Sequence, residues 1–177
     1  MNLPYGTTRT RVAARHALIA PDGHVRSNVP GITGAAASIL INEAMGARFA
    51  QLLVTFEAGG RAALPANDVE TAGYFETGGG TLAIGRLRQN LRAGAFFFAP
   101  AGAAWSITAP KAGTRVTLFQ KKFVPLAGAA APKPVIGDAA KVKGQPFLGD
   151  PDAQLQVLLP DVPAFDLAMN IFTYQPG

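Results

Sequence analysis

The 177-residue chain contains no cysteine, which removes disulfides, thiolate nucleophiles and thiolate metal sites from consideration. Histidine is nearly as scarce. The only two, His16 and His24, lie near the start, so an imidazole-rich metal site has no ligands in the rest of the chain. No apolar run approaches the ~20 residues of a membrane-spanning helix, so no membrane partner is expected. The opening "MNLPYGTTRTRVAARH" lacks an apolar core of the secretory type, which predicts no leader and a cytoplasmic location. No long amphipathic helix with capping signals is visible. Ser27, Ser38 and Ser106 sit in no Gly-x-Ser-x-Gly elbow. "GGGTLAIG" is followed by no helix pattern, so a phosphate cradle at a helix N-terminus is missing as well.

What is present is apolar and turn-rich. Hydrophobic residues make up 49% of the chain and charged residues 15%, a globular composition. Twenty glycines and fourteen prolines suit a chain that reverses often, as an all-β domain must. The net charge of +5 would suit an acidic ligand or a nucleic acid, but the cations are scattered. Arg9, Arg11 and Arg15 form one loose group, and Arg86, Arg88 and Arg92 another. No stacking aromatics are interleaved with them, so nucleic-acid binding is not expected.

Alternation of apolar residues predicts strands in "AAASILINEA", in "ARFAQLLVTFEAGG", through Phe96–Phe98, after Trp105 and in "RVTLFQKKFV". Phe96 and Phe98 fall on the face opposite Phe97. The run "AGYFETGGGTLAIG" reads as a hairpin, with Gly78, Gly79 and Gly80 at positive-φ turn positions. These spacings predict an N-terminal arm over 1–34 and an antiparallel barrel over 35–125. A linker rich in Ala, Pro, Gly and Lys follows over 126–150, and further strands over 151–177.

Within the barrel, Gly94, Pro100, Gly102 and Trp105 follow the spacing glycine, five residues, proline, one residue, glycine, two residues and a final position. This resembles the second motif of the cupins, which places a metal-binding histidine where Trp105 stands. The first cupin motif supplies His-x-His and a glutamate. The corresponding "LPANDVETAGYFETGG" has no histidine, and its glutamate position falls at or beside Glu70 and Thr71. The resemblance implies an all-β cupin barrel (a double-stranded β-helix, or jelly roll) with a degenerate, metal-free motif.

A broader likeness runs through "RHALIAPDGHVRSNVPG", "ARFAQLLVTFEAGG", "FFFAPAGAAWSITA", "LFQKKFVPLAG" and "LLPDVPAFDLAMNIFTYQPG". These segments resemble the N-terminal half of the (S)-ureidoglycine aminohydrolases, two-cupin proteins of allantoin catabolism also called glyoxylate-induced proteins. The resemblance implies a family that releases ammonia from ureidoglycine to leave ureidoglycolate, with manganese in the C-terminal cupin. Residues 151–177 would then begin that second cupin, ending at Gly177 just before its ligands. The expectation is a chain with no cofactor and no catalytic or metal-binding residues of its own, inactive alone and structural in role. Its partners would be a second cupin domain or further copies of itself, with a small-molecule substrate only in the full-length protein.

An alternative is a stand-alone, metal-free cupin that binds a small molecule or serves as an interaction module. Glu70, Tyr74, Phe96, Phe98 and Trp105 are the candidate pocket lining for that case. All but Tyr74 have a plainer reading. Trp105 fills core space, the phenylalanines pack the two faces of their strand, and Asp68, Glu70 and Glu76 form a solvated rim. The apolar strands "QLQVLLP" and "LAMNIFTYQP" would leave exposed edges unless another barrel or chain covers them, which predicts self-association.

Overall fold

A computed structural model describes residues 9–13 and 16–176. Residues 1–8, Ala14, Arg15 and the end at Gly177 lie outside the described residues. The described residues form fifteen strands and three single turns of 3-10 helix. Short strands β1 (Arg11–Val12) and β2 (Ala17–Leu18) pair with each other, and β3 (Arg26–Ser27) leads into β4 (Ile32–Ile41). The barrel continues through β5 (Ala50–Leu64), β6 (Val69–Thr77), β7 (Gly79–Ile84), β8 (Leu87–Arg92), β9 (Ala95–Ala99), β10 (Trp105–Thr108) and β11 (Arg115–Lys122). Then come β12 (Val135–Asp138), β13 (Gln145–Phe147), β14 (Asp150–Val157) and β15 (Asn170–Tyr174). No helix of the described residues is long and apolar enough to cross a membrane.

Ten strands form one curled, antiparallel sheet in the order β12-β9-β6-β11-β5-β10-β7-β8, with β4 on β5 and β3 on β4. The curl is made by β5, whose residues Ala50–Thr55 pair with β11 while Arg61–Leu64 pair with β10. Between the two stretches the strand bends through Gly59 (φ 75°), so that one strand serves both walls of the barrel. Leu52, Val54, Phe56, Phe75, Leu82, Phe97, Trp105, Ile107, Val116 and Leu118 close the interior.

The glycine run after β6 is not a hairpin. Strand β6 pairs with β9 and β11, whereas β7 pairs with β8 and β10, so the run carries the chain from one wall to the other. Only Gly78 has positive φ (71°). Gly79 and Gly80 are extended, and a Cβ there would meet Leu91 O at 2.5 Å and Thr108 O at 2.6 Å. They are glycines because neighbouring backbone passes close by, not because the chain turns.

The 126–150 stretch carries β12, which lengthens the main sheet by pairing with β9. Beyond it, β13, β14 and β15 form a separate three-stranded sheet. An arm between β14 and β15 lies over the outer face of the main sheet, with Leu158, Leu159, Phe165, Leu167 and Met169 packed on Ala72, Tyr74, Phe96, Phe98 and Phe119. That cover is why all five residues of β9 are buried: a strand clad on both faces is apolar throughout.

Candidate functional site

Strand alternation decides which side chains reach the barrel interior. On β6, Thr71, Gly73 and Phe75 point inward while Glu70, Ala72 and Tyr74 point outward, toward the arm. On β9, Phe97 points inward. Phe97 is fully buried, and Gly73 beside it is a necessity, because a Cβ there would lie 2.1 Å from Cε1 of the ring. Gly94 (φ 85°) and Gly102 (φ 82°) flank β9 and Pro100, delivering Trp105 to the start of β10.

Trp105 is buried, its ring 5.8 Å from that of Phe97 and tilted by 52°. Its Nε1 donates a hydrogen bond of 3.0 Å to Oγ1 of Thr71, which is itself fully buried. The residue at the cupin histidine position is thus bonded to one at or beside the cupin glutamate position. An indole N–H donates only, and a neutral hydroxyl is a poor substitute for a carboxylate, so this pair cannot bind a cation. Among the described residues no group of three or more His, Cys, Asp or Glu is placed to hold one. Manganese does not fit this barrel.

The ionisable chemistry lies on the other side of the same sheet. Glu70 is fully buried, and neither of its carboxyl oxygens has a conventional donor. Lys121 is its register partner on β11, and Asp166 comes down on it from the arm. Lys121 Nζ bonds to Oδ2 of Asp166 and, at 3.1 Å, to the Asp166 carbonyl, while the Val124 amide donates to Oδ2 at 3.1 Å. Oδ1 of Asp166 is left buried and without a donor except Glu70.

Burial pushes the Glu70 carboxyl up to about 8, and the hydrogen bond and negative charge of Asp166 push the same way against the opposing pull of Lys121. Burial raises Asp166 too, but hydrogen bonds from Glu70, Lys121 and the Val124 amide outweigh it and hold Asp166 below the usual carboxylate range. Glu70 is therefore the protonated partner, donating to an ionised Asp166.

The five candidate pocket residues do not share a pocket. Trp105 is inside the barrel, whereas Glu70, Tyr74, Phe96 and Phe98 are on its outer face beneath the arm. Tyr74 borders an outer groove of about 340 Å³ with Thr117, Phe119, Leu158, Met169 and Ile171. The three carboxylates expected at a solvated rim also part company. Asp68 is exposed and paired with Lys122 at 3.1 Å. Glu76 bonds to Thr117 and to Arg115 at 2.9 Å. Glu70 is not at a rim at all. Sequence reasoning passed over Lys121 and Asp166. The pairing of "QKK" with "VET" would have suggested Lys121, but nothing local marks Asp166.

No family model matches the chain. The (S)-ureidoglycine aminohydrolase of Escherichia coli K12 is 29% identical over 164 residues, covering 91% of this chain and 62% of that protein. The Arabidopsis thaliana enzyme of the same name is 28% identical over 175 residues, covering 97% and 57%. The chain thus spans little more than half the length of these relatives. Among solved structures, protein Ylba from E. coli superposes with a TM-score of 0.82 at 27% identity, over 92% of this chain and 66% of that one. The putative glyoxylate-induced protein of Pseudomonas aeruginosa gives 0.82 at 17% identity, over 98% and 68%. The chain has the cupin fold and, over most of its length, resembles the (S)-ureidoglycine aminohydrolases.

Proposed function

We propose that this chain is the N-terminal, non-catalytic cupin portion of a protein that acts as an (S)-ureidoglycine aminohydrolase, releasing ammonia from ureidoglycine in the cytoplasm. Its role is structural: it supports a second, manganese-bearing cupin and contributes contacts between subunits. The observation that carries this reading is the Trp105–Thr71 hydrogen bond, which fills the interior where the cupin motifs converge. The outer strands support the assembly role, since Val157, Phe172 and Tyr174 on β14 and β15 are 44%, 40% and 66% exposed. Apolar surface of that kind is usually covered by a partner.

The test uses the 177-residue chain, purified and assayed for metal content, ammonia release from ureidoglycine and molecular mass by light scattering. The reading expects no stoichiometric metal, no turnover and a mass above the monomer. Stoichiometric manganese, iron or zinc, or turnover by this chain alone, would overturn the non-catalytic assignment. A monomer at all concentrations would overturn the assembly role.

A further inference from the structure

The arm over 158–169 is held on the barrel by one polar contact in an apolar seat. Its Asp166 meets Glu70 of β6 and Lys121 of β11, while its Leu158, Leu159, Phe165 and Met169 cover Phe96 and Phe98. Four groups in this contact have no freedom to find other partners. Both oxygens of Glu70 and Oδ1 of Asp166 are buried, and Lys121 is committed to Oδ2 and the carbonyl of the same aspartate. Two facing carboxylates with one ammonium would leave a buried, uncompensated negative charge. One proton between them removes the second negative charge and gives Asp166 Oδ1 a donor in Glu70.

We propose that the Glu70–Asp166 pair is a proton-binding site that latches the arm to the barrel, so that losing the shared proton releases the arm and uncovers the apolar seat at Phe96 and Phe98. The charged groups around the site are few. From β11 comes Lys121, with Lys122 beside it already paired with Asp68, and from the arm comes Asp166. Glu43 and Arg48 line the adjoining groove with Lys121 and Asp166. No histidine is among these groups, so the carboxyl pair itself must titrate.

The sign follows from the two states. In the released arm Glu70 is solvated and ionises near its ordinary value of 4.5, whereas in the docked arm it stays protonated to about 8. Between those values docking takes up a proton, and the docked-to-released ratio falls about tenfold per pH unit. Below the ordinary range of Asp166 the trend reverses, because protonation of Asp166 discharges its bond to Lys121. Docking is therefore tightest in mild acid.

Hydrogen exchange on the full chain tests this through the amides of Val124, which donates to Asp166 Oδ2, and Leu158, which donates to Met169 O at 3.0 Å. After correction for intrinsic exchange, protection at both is expected to fall about 100-fold between pH 5.5 and 7.5, while amides of β9 hold theirs. Glu70→Gln, which keeps a donor but carries no charge, is expected to flatten that slope. Should that variant fail to fold, Glu70→Met serves the same purpose, since it removes the titrating carboxyl altogether. Protection of the two amides constant within twofold in the parent chain, or a slope unchanged in the folded variant, would overturn the latch.

Discussion

The two faces of strand β6 hold opposite solutions to the same problem of burying polar groups. Inside the barrel, Thr71 and Trp105 are neutral and need only each other. Outside it, one residue earlier, Glu70 is equally buried yet ionisable, and depends on a lysine, an aspartate and a proton from elsewhere. A neutral pair is indifferent to pH and permanent. An ionisable cluster is conditional, and it sits where a separate segment of chain docks. The interior thus serves rigidity, and whatever responsiveness the chain possesses is placed under the arm.

That contrast can be broken at several strengths. The largest effect is expected from Phe97→Ala, which opens the interior beside Trp105 and should cost about 3–5 kcal/mol in chemical denaturation. If the loss were below about 1 kcal/mol, the interior would be far more plastic than described. Trp105→Phe keeps most of the ring but leaves the Thr71 hydroxyl without its donor, and should cost about 1–3 kcal/mol. Adding Thr71→Val to it should recover much of that loss, whereas simple additivity would show that the hydrogen bond matters little. The smallest effect is expected from Lys122→Ala. Its pair with Asp68 is 72% and 64% exposed, so stability should move by less than about 0.5 kcal/mol, and still less in high salt.

The sequence revealed one face of this comparison better than the other. The spacing of Gly94, Pro100, Gly102 and Trp105 placed the tryptophan in the barrel, and the period of two put Phe96 and Phe98 opposite Phe97. Both features are local. The outer layer is not. Composition alone made 126–150 a linker, yet Val135–Asp138 adds to β9, helped by Gly137, where a Cβ would lie 2.2 Å from the Phe96 ring. Nothing local to Glu70 told what would cover it. The covering residue, Asp166, lies far along the chain in a segment with no strand pattern. The glycine run misled for a related reason, since three consecutive glycines mark a hairpin and a crowded crossing alike.

Strand β5 carries a consequence for how the molecule comes apart. Because one wall pairs with its first residues and the other wall with its last, neither wall can peel away while β5 keeps its place in the second. The two walls are coupled through a shared backbone as well as through the apolar contacts between them. Loss of structure in the barrel should therefore be all-or-none, and partial opening is confined to what lies outside β5's reach: the terminal strands and the arm that Asp166 holds.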